Sequence, residues 1–330
     1  YVAYLMKIDI HAHFAPPSLL ETLSRRASEF PSVVQESHGD SVAFSFAGGK
    51  PTRPVAPGLR DIEGRLAWMD EQRIDRQLIG GWLDMFGYEM AGEEAETWSA
   101  IINEDLVRFC RNEPRFIPLG TVPLQDGERA ARVLRDLRDQ GVAGVMIGTQ
   151  PDNAGGFLDA DDLDPFWQAA HETGALIFIH PIFNSGDDRA TGYGLENALG
   201  RLTDTTLAVA RLLCAGHATR YSDANILAAC GGAGLSFALG RLQRNHALAP
   251  DSVADPLVEM RALYYDTILH DPAALKFLAD KVGCDRLLMG SDKPFPIGDF
   301  EPMKIVADAG FTASEQDRIN GGLAADLLGI

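Results

Sequence analysis

The amino-acid sequence predicts an α/β fold in which eight parallel strands close into a barrel. The prediction depends on three observations: a length of 330 residues, eight short apolar segments, and amphipathic helical segments between them. Near-continuous apolar strands that alternate with helices indicate a parallel sheet covered on its faces. Eight such units fit a (β/α)8 TIM barrel, and this chain length suits a single barrel domain over residues 1–330. An open doubly wound sheet is the alternative. The absence of a Gly-x-Gly-x-x-Gly motif after an early strand disfavours a dinucleotide-binding version of it.

The predicted strands are separated along the chain by helical segments. They are residues 6–14, 74–80, 115–120, 143–148, 175–181, 225–230, 262–266 and 285–292. Apolar and small polar residues also alternate between the glycine-rich turns at 39 and 48. This alternation predicts a small β-hairpin within an insertion at about residues 38–56, outside the barrel.

The composition excludes several classes of partner. The chain has 29 Lys and Arg against 47 Asp and Glu, a formal net charge of -18, which argues against nucleic acid or an anionic membrane as the partner. A small anionic carboxylate substrate is compatible with this negative net charge if a metal ion or arginines supply local positive charge. We find no apolar run of about 18 residues and no signal-peptide pattern, so we expect no membrane span and a cytoplasmic location. The four cysteines lack CxxC spacing, so neither a zinc ribbon nor a disulfide framework is predicted.

The first predicted strand contains two histidines, His11 and His13, two residues apart. Side chains alternate along a strand, so both imidazoles point to the same side and can bind one metal ion. Strand ends also hold ligands with the small positional error that a metal site tolerates. The alternative is a pair of surface or turn histidines.

Other polar side chains follow apolar runs at the same end of the predicted barrel. His180 ends the fifth strand, Cys230 ends the sixth, and Asp292 follows the eighth. Active sites of such barrels gather at the C-terminal ends of the strands. Three imidazoles and one carboxylate suit Zn2+, with Mn2+ or Fe2+ as alternatives. Taken individually, His180 could be a core histidine whose hydrogen bonds are all made within the protein, and Asp292 could cap a turn.

Four groups of residues carry a family resemblance. Residues 6–14, 178–181, 231–234 with 239–241, and 288–292 with 294–296 resemble the amidohydrolase-2 branch of the amidohydrolase superfamily. Within it, they are most similar to the 2-amino-3-carboxymuconate-6-semialdehyde decarboxylase group. The resemblance implies a metal site of His11, His13, His180 and Asp292. It also implies that Arg53 and Arg241 bind the substrate carboxylate, with Arg241 supplied by a neighbouring subunit of a homodimer or higher homo-oligomer. A guanidinium group suits this task because it binds a carboxylate through two hydrogen bonds.

The sequence departs from the family pattern at Cys230, where the family usually has a histidine that acts as the general acid or base. A thiol has a reference pKa of about 8.5, against about 6.5 for imidazole, and therefore makes a slower proton shuttle near neutral pH. Three interpretations follow. The enzyme decarboxylates with another acid or base, Cys230 serves a changed chemistry such as hydrolysis, or the site has only a binding function.

The sequence thus predicts a metal-dependent carboxy-lyase, a non-oxidative decarboxylase of a carboxylated aromatic or ring-cleavage-type dienoate. A metal-dependent hydrolase of a C–C, lactone or amide bond is the alternative. In either case Asp292 and Cys230 are the candidate catalytic residues. Trp82, Phe183 and Phe295 follow predicted strands and could form an apolar pocket for a planar substrate, although such aromatics also occur as core residues.

Overall fold

The computed structural model describes residues 5–152, 156–182 and 188–330, and its core is a sheet of parallel strands. In chain order, the strands are β1 (Ile8–His13), β2 (Val33–His38), β3 (Ser41–Phe46), β4 (Arg76–Gly80), β5 (Phe116–Pro118), β6 (Gly144–Gly148), β7 (Leu176–His180), β8 (Asn225–Ala228), β9 (Tyr264–Asp266) and β10 (Leu287–Leu288). β2 and β3 form a separate antiparallel hairpin, and the other eight are the parallel strands. Strands β6 and β7 are buried along their whole length. Burial on both faces explains why these segments are nearly continuous apolar runs.

The parallel strands form a closed ring. β1, β4 and β5 pair in that order, and β6 to β10 pair in chain order. A bridge between Gly120 and Val145 joins β5 to β6, and a bridge between Ala12 and Lys293 joins the segment after β10 to β1. The Asp292 amide N also donates to the His11 carbonyl O at 2.8 Å across this second junction. The predicted (β/α)8 barrel is therefore confirmed.

Helices cover the outside of the barrel, and local capping sets several of their ends. They are α1 (Leu19–Arg25), α2 (Ile62–Glu71), α3 (Gly92–Asn112), α4 (Gly127–Asp139), α5 (Asp164–Thr173), α6 (Arg201–Ala215), α7 (His217–Arg220), α8 (Leu235–Leu248), α9 (Pro256–Ala262), α10 (Pro272–Val282), α11 (Pro302–Asp308), α12 (Ala313–Asp317) and α13 (Leu323–Leu328). Asp126 and Asp271 cap α4 and α10 by accepting a backbone N–H, which satisfies a donor without an intrahelical partner. Gly174 and Gly216 end α5 and α6 in left-handed conformations. Among the described residues, no helix has both the length and the apolar character required to cross a membrane.

The hairpin differs in its bounds from the sequence prediction. β2 and β3 pair antiparallel from Val33 to Phe46, so the hairpin begins before the predicted limit at residue 38. Most of β2 is polar and exposed, and its residues therefore lack the apolar alternation by which strands are recognised. β3 holds the hairpin on the barrel because its Phe44 and Phe46 pack edge-on against Trp98 of α3.

Candidate metal centre and substrate pocket

Four side chains from distant parts of the chain meet at the C-terminal end of the barrel. The Nε2 atoms of His11 and His13 are 3.3 Å apart, and Nε2 of His13 lies 3.1 Å from Nε2 of His180. Oδ1 of Asp292 lies 3.2 Å from Nε2 of His13 and 3.5 Å from Nε2 of His11. One ligand atom from each residue fits within a group no wider than 4.8 Å. The structure thus brings together all four residues that the sequence predicted as metal ligands.

The other ring nitrogen of each histidine fixes how the imidazole is oriented. Nδ1 of His13 lies 3.0 Å from the carbonyl O of Gly81, and Nδ1 of His180 lies 2.8 Å from the carbonyl O of Pro181. Carbonyl oxygens only accept hydrogen bonds, so both Nδ1 atoms carry the proton and donate. Each Nε2 therefore directs its lone pair at the centre of the cluster, as in metal-binding histidines with an outer hydrogen-bond partner.

The electrostatics of the cluster fit a divalent metal ion. Burial and the neighbouring His13 and His11 lower the pKa of His180 well below its usual value, so its imidazole is neutral. The buried Oδ1 of Asp292 accepts no hydrogen bond from any residue in the described part of the chain. Lone pairs that face one another repel, and a buried oxygen without a partner is costly. A cation at the centre would remove both costs, and three nitrogens with one oxygen are a donor set that Zn2+ and similar ions accept.

Asp266 supports the cluster from behind, and the sequence analysis did not identify it as a site residue. Its Oδ2 lies 2.6 Å from Nδ1 of His11, and its Oδ1 accepts hydrogen bonds from the backbone N–H groups of Gly231 and Ile268. Asp266 is fully buried at the end of β9. A polar residue that ends an apolar strand is the signal that singled out His180, and the same signal could have found Asp266.

Asp9 forms a second buried support that sequence reasoning missed. Its carboxylate accepts hydrogen bonds from Ser291 Oγ at 2.5 Å and from Gln77 Nε2 at 2.7 Å. Burial raises the pKa of Asp9, although these hydrogen bonds oppose the rise. Asp9 thereby links β1 to β4 and to Ser291, the residue before Asp292.

A cavity of about 470 Å³ opens above the cluster. The predicted pocket residues Arg53, Trp82 and Phe295 line it together with the cluster residues His13 and His180. The other lining residues are Leu83, Asp84, Pro181, Gly194, Glu196, Asn197, Arg201, Pro296 and Ile297. Aromatic walls and a guanidinium group beside a candidate metal centre suit a planar carboxylate.

Arg53 is held at the side of this cavity by its neighbours. Its Nη2 donates to Oδ2 of Asp84 at 3.0 Å, and its guanidinium lies 5.3 Å from the centre of the Trp82 ring. Burial raises the pKa of Asp84 although the charge of Arg53 opposes this. Arg53 therefore pairs with Asp84 and lines the cavity as well.

Cys230 lines an adjoining cavity of about 150 Å³, together with Asp292 and His270. Burial and the nearby charges of Asp266 and Asp292 raise the pKa of the Cys230 thiol well above its usual value, so the thiol is protonated. Cys230 and Asp292 both adopt left-handed backbone conformations, with φ of 53° and 57°. Such strained conformations concentrate at functional sites. His270 also lines this cavity, although the sequence analysis did not identify it as a site residue.

Three further residues complete the comparison with the sequence predictions. Arg241 is exposed on α8 and lines neither of these two cavities within the single chain. Phe183 lies outside the described residues. Arg201 lines both cavities, and the sequence analysis did not identify it as a site residue.

The chain is thus a (β/α)8 barrel with a cluster of metal-ligating side chains at the C-terminal ends of its strands. The family model described as amidohydrolase matches residues 8–330, and the protein therefore belongs to the amidohydrolase family. This result confirms the family that the sequence motifs indicated.

Relatives and solved structures align over nearly the whole chain. A 2-amino-3-carboxymuconate-6-semialdehyde decarboxylase of Dictyostelium discoideum is 28% identical, and the match covers 98% of this chain and 92% of that protein. The crystal structure of 5-carboxyvanillate decarboxylase from Sphingomonas paucimobilis superimposes with a TM-score of 0.80 at 22% identity, covering 99% of this chain and 100% of that one. The enzyme of the same name from Novosphingobium aromaticivorans, solved with manganese and 4-hydroxy-3-methoxy-5-nitrobenzoic acid, gives a TM-score of 0.78 at 21% identity over 99% and 97% of the two chains.

Proposed function

We propose that the protein is a metal-dependent, non-oxidative decarboxylase of a carboxylated aromatic or a ring-cleavage-type dienoate. The observation that carries this proposal is the cluster of three imidazoles and one carboxylate, which opens into a cavity with aromatic walls and an arginine. The names of the relatives support it, because the similar proteins described above are decarboxylases of carboxylated rings or of a ring-cleavage product.

His11, His13, His180 and Asp292 would hold the metal ion. We propose Zn2+ from the donor set, with Mn2+ or Fe2+ as alternatives, and the manganese in a structural neighbour shows that Mn2+ deserves testing. When bound, the ion polarises an oxygen of the substrate and so stabilises negative charge that develops during the reaction. Asp266 would keep His11 oriented towards the ion throughout.

The residues around the cavity would bind and orient the substrate. Arg53 would bind a substrate carboxylate, with its fork held in place by Asp84. Trp82 and Phe295 would contact the two faces or edges of a planar molecule. Binding in one orientation brings the carbon that loses CO2 close to the groups that exchange protons, which is a large part of catalysis.

Cys230, which lies beside Asp292, would supply the proton that the reaction consumes. In the proposed reaction the bond between the ring carbon and the carboxyl carbon breaks, its electron pair stays on the ring carbon, and CO2 leaves. The ring carbon then takes up a proton. Cys230 would donate it from its protonated thiol, which lies beside Asp292 in the adjoining cavity, and the resulting thiolate would then take up a proton from solvent.

Release of CO2 tests the proposal directly. Protein loaded with Zn2+ or Mn2+ is incubated with a panel that includes 2,6-dihydroxybenzoate and 5-carboxyvanillate, and CO2 is trapped without any added oxidant. We expect CO2 from at least one carboxylate, and His13→Ala should abolish it. His171→Ala is the matched control, since its ring contacts Asp223 away from the cluster. An absence of CO2 across the panel with metal-loaded protein would contradict the proposal.

The cysteine in place of the usual histidine favours a second candidate, a metal-dependent hydrolase of a C–C, lactone or amide bond. A hydrolase adds water across a bond, whereas a decarboxylase takes only a proton from solvent. Reaction in ¹⁸O-labelled water therefore separates the two candidates, because hydrolysis places label in the organic product. A protein that only binds its ligand would give neither CO2 nor labelled product, and its ligand affinity would survive loss of His11 and His13.

Substitution of Cys230 tests the proton donor. Cys230→Ala should reduce kcat by about 100-fold or more, the usual effect of removing a general acid. Cys230→His should retain or increase kcat and move the alkaline limb of the pH profile to lower pH, because imidazole ionises nearer to neutral pH than the thiol and histidine tolerates the left-handed backbone at this position. If Cys230→Ala left kcat unchanged, another group would be the donor.

We also propose a homodimer or higher homo-oligomer in which Arg241 reaches the cavity of a neighbouring subunit. Phe237 is 91% exposed one helical turn before Arg241 on α8, and Leu207 of α6 and Leu248 of α8 are 62% and 68% exposed. Apolar side chains so exposed favour burial against a second copy. Sedimentation analysis should therefore show a dimer or larger species that Phe237→Asp converts to monomer, and Arg241→Gln should raise KM.

We also propose a cytoplasmic location for the protein, as expected from its sequence.

A further inference from the structure

Arg65 is a buried arginine that contacts the backbone of a candidate metal ligand. It lies on the buried side of α2 and is only 2% exposed. Its Nη2 donates to the carbonyl O of His13 at 3.0 Å, and its Nη1 donates to Oε1 of Gln77 at 2.7 Å. Moving a guanidinium group from water into the protein interior costs free energy, which its hydrogen bonds and charge partners must offset. An arginine kept at this position is therefore a candidate for a role in the site.

Gln77 connects Arg65 to the carboxylate of Asp9. Asp9 and Gln77 are partners where β1 pairs with β4, and Nε2 of Gln77 donates to Oδ2 of Asp9 at 2.7 Å. Arg65 donates to the oxygen of the same amide group. All three side chains are buried, and opposite charges attract more strongly in the interior than in water. Arg65, Gln77 and Asp9 thus form one buried network with a charge at each end.

The Asp9 end of this network holds the backbone around the other ligands. Its Oδ1 accepts hydrogen bonds from the amide N–H of His11 at 3.1 Å and from that of Ser291 at 3.0 Å. Ser291 also donates from its Oγ to Asp9, and it directly precedes Asp292. The network therefore contacts the backbone at His11, at His13 and next to Asp292, which are three of the four candidate ligands.

An irregularity in β1 indicates why the backbone at His11 needs this support. Asp9 pairs with Gln77 of β4 and Ala12 pairs with Ile79, so β1 has one residue more than β4 between these two pairs. A bulge of this kind interrupts the backbone ladder and changes the direction of a side chain. His11 lies within the irregular segment, and its amide N–H donates to the side chain of Asp9. Side-chain hydrogen bonds thus replace part of the strand pairing at His11.

We propose that Arg65 is a positioning residue of the metal centre, which holds the backbone of His11 and His13 in place through its network. This inference rests on the proposed metal centre but not on the proposed reaction. Arg65 acts on the backbone of the ligands, whereas Asp266 orients the ring of His11. A metal site tolerates only small errors in ligand position, so loss of the network should weaken metal binding.

Cobalt binding tests the role of Arg65 without any reaction. Co2+ accepts the same nitrogen and oxygen ligands as Zn2+, and its visible absorption depends on the arrangement of the ligands around it. Arg65→Met should lower the affinity for Co2+ about 10-fold or more, as expected for an outer partner of a metal ligand, and should change the visible spectrum. Arg65→Lys keeps the charge but not the planar fork, and it should restore part of both properties.

Arg138→Met is the matched control, because this arginine also donates to backbone carbonyl groups but lies at the opposite end of the barrel. Its guanidinium group donates to the carbonyl O atoms of Val142, Ala143 and Thr173, which precede β6 and β7. Arg138→Met should therefore lower the Tm and keep the cobalt affinity and spectrum of the wild-type protein. A role of Arg65 in stability alone would predict the same cobalt properties for the Arg65 and Arg138 variants.

Gln77→Met is the second variant, and it decides the question if Arg65→Met does not fold. It removes the amide between Arg65 and Asp9 and leaves the contact between Arg65 and His13. Its cobalt affinity should also fall, by about 10-fold. Wild-type affinity and spectrum in a folded Arg65→Met or Gln77→Met protein would overturn the inference, as would equal losses in the Arg65 and Arg138 variants.

Two further outcomes separate this inference from the proposals on which it does and does not rest. A wild-type protein that binds no Co2+ would overturn the metal centre and the role of Arg65 together. Cobalt binding that depends on Arg65, in a protein that releases no CO2 from any acid, would support the positioning role and overturn the proposed decarboxylase.

Discussion

The orientation of His11 depends on one buried carboxylate. Asp266 lies 2.6 Å from Nδ1 of His11 and is itself held by two backbone N–H groups. Asp266→Asn keeps the shape of the side chain and removes its charge, so the imidazole loses its strongest orienting contact. We expect the affinity for Zn2+ or Mn2+ to fall about 10–100-fold, as for other outer partners of metal-binding histidines. Metal titration by calorimetry gives the value.

The control for this prediction is a carboxylate far from the cluster. Asp280→Asn removes an exposed ion pair with Lys276 on α10, and surface pairs of this kind contribute little. Its metal affinity should match that of the wild-type protein. Equal metal affinity in the Asp266 and Asp280 variants would show that Asp266 does not orient His11 for a metal ion.

The pH dependence of metal binding follows from His11. Burial alone would lower the pKa of His11, but its hydrogen bond to Asp266 and the charge of Asp292 raise the pKa overall. A metal ion must therefore displace a proton from His11 at pH values below that raised pKa. Metal affinity should rise by about tenfold per pH unit for each displaced proton and level off above the pKa of His11.

Calorimetric titrations in buffers of different ionisation enthalpy measure that proton release. His180 should not contribute near neutral pH, because its pKa is well below the usual value. A metal affinity that stays constant from mildly acidic to neutral pH, without proton release, would contradict this assignment.

At the scale of secondary-structure elements, the most buried strands were the easiest to predict. β6 and β7 are apolar and buried on both faces, and their segments were predicted from these apolar runs. β2 was missed because it is an exposed polar strand that forms by pairing with β3. Helices α11 to α13 were not predicted at all, and their packing against the barrel is a long-range property of the fold.

The candidate site was predictable to the extent that it depends on topology. Parallel strands end at one face, so His13, His180 and Asp292 could be placed together from sequence alone. Asp266 carried the same signal as His180, a polar residue at the end of an apolar strand, but its contact with His11 spans 255 residues, so the sequence does not reveal that it orients this imidazole. Arg201 could not be placed because its position depends on a π-helical turn that a regular helix pattern does not reveal.

Substitution of two adjacent glycines, Gly321 and Gly322, tests how the C-terminal segment packs against the residues at β1. Gly321 lies in the π-helical turn Arg318–Gly322, and a Cβ atom there would meet the carbonyl O of Met6, just before β1, at 1.9 Å and the amide N of Ile8, the first residue of β1, at 3.0 Å. Gly322 has ordinary helical angles, and the nearest atom to its added Cβ is 3.4 Å away. Gly321→Ala should lower the free energy of unfolding by about 1–3 kcal/mol through overpacking. Gly322→Ala should change it by less than about 1 kcal/mol, because alanine favours helix and meets no clash.

Urea unfolding of the two variants measures the difference. Gly321→Ala should also weaken metal binding, since β1 carries His11 and His13 and the clash displaces its first residues. Equal stability of both variants would show that the turn moves away from β1 without cost.

At the scale of the whole molecule, a bound metal ion would join segments that are far apart in the chain. His13 and His180 are 167 residues apart, and Asp292 follows the last barrel strand beside β1. The ion would thus cross-link the first, fifth and eighth strands of the ring. It binds the folded protein and finds no preformed site in the unfolded chain.

Removal of the metal should therefore destabilise the entire barrel. At a free metal concentration 100 times the Kd, binding contributes about 2.7 kcal/mol to the free energy of unfolding. Protein treated with a chelator should melt several degrees below the same protein with Zn2+ or Mn2+, and added metal should restore the Tm. His180→Ala loses one ligand and should show little difference between chelator and metal. A wild-type Tm that is the same with chelator and with metal would contradict a stabilising metal centre at the four clustered residues.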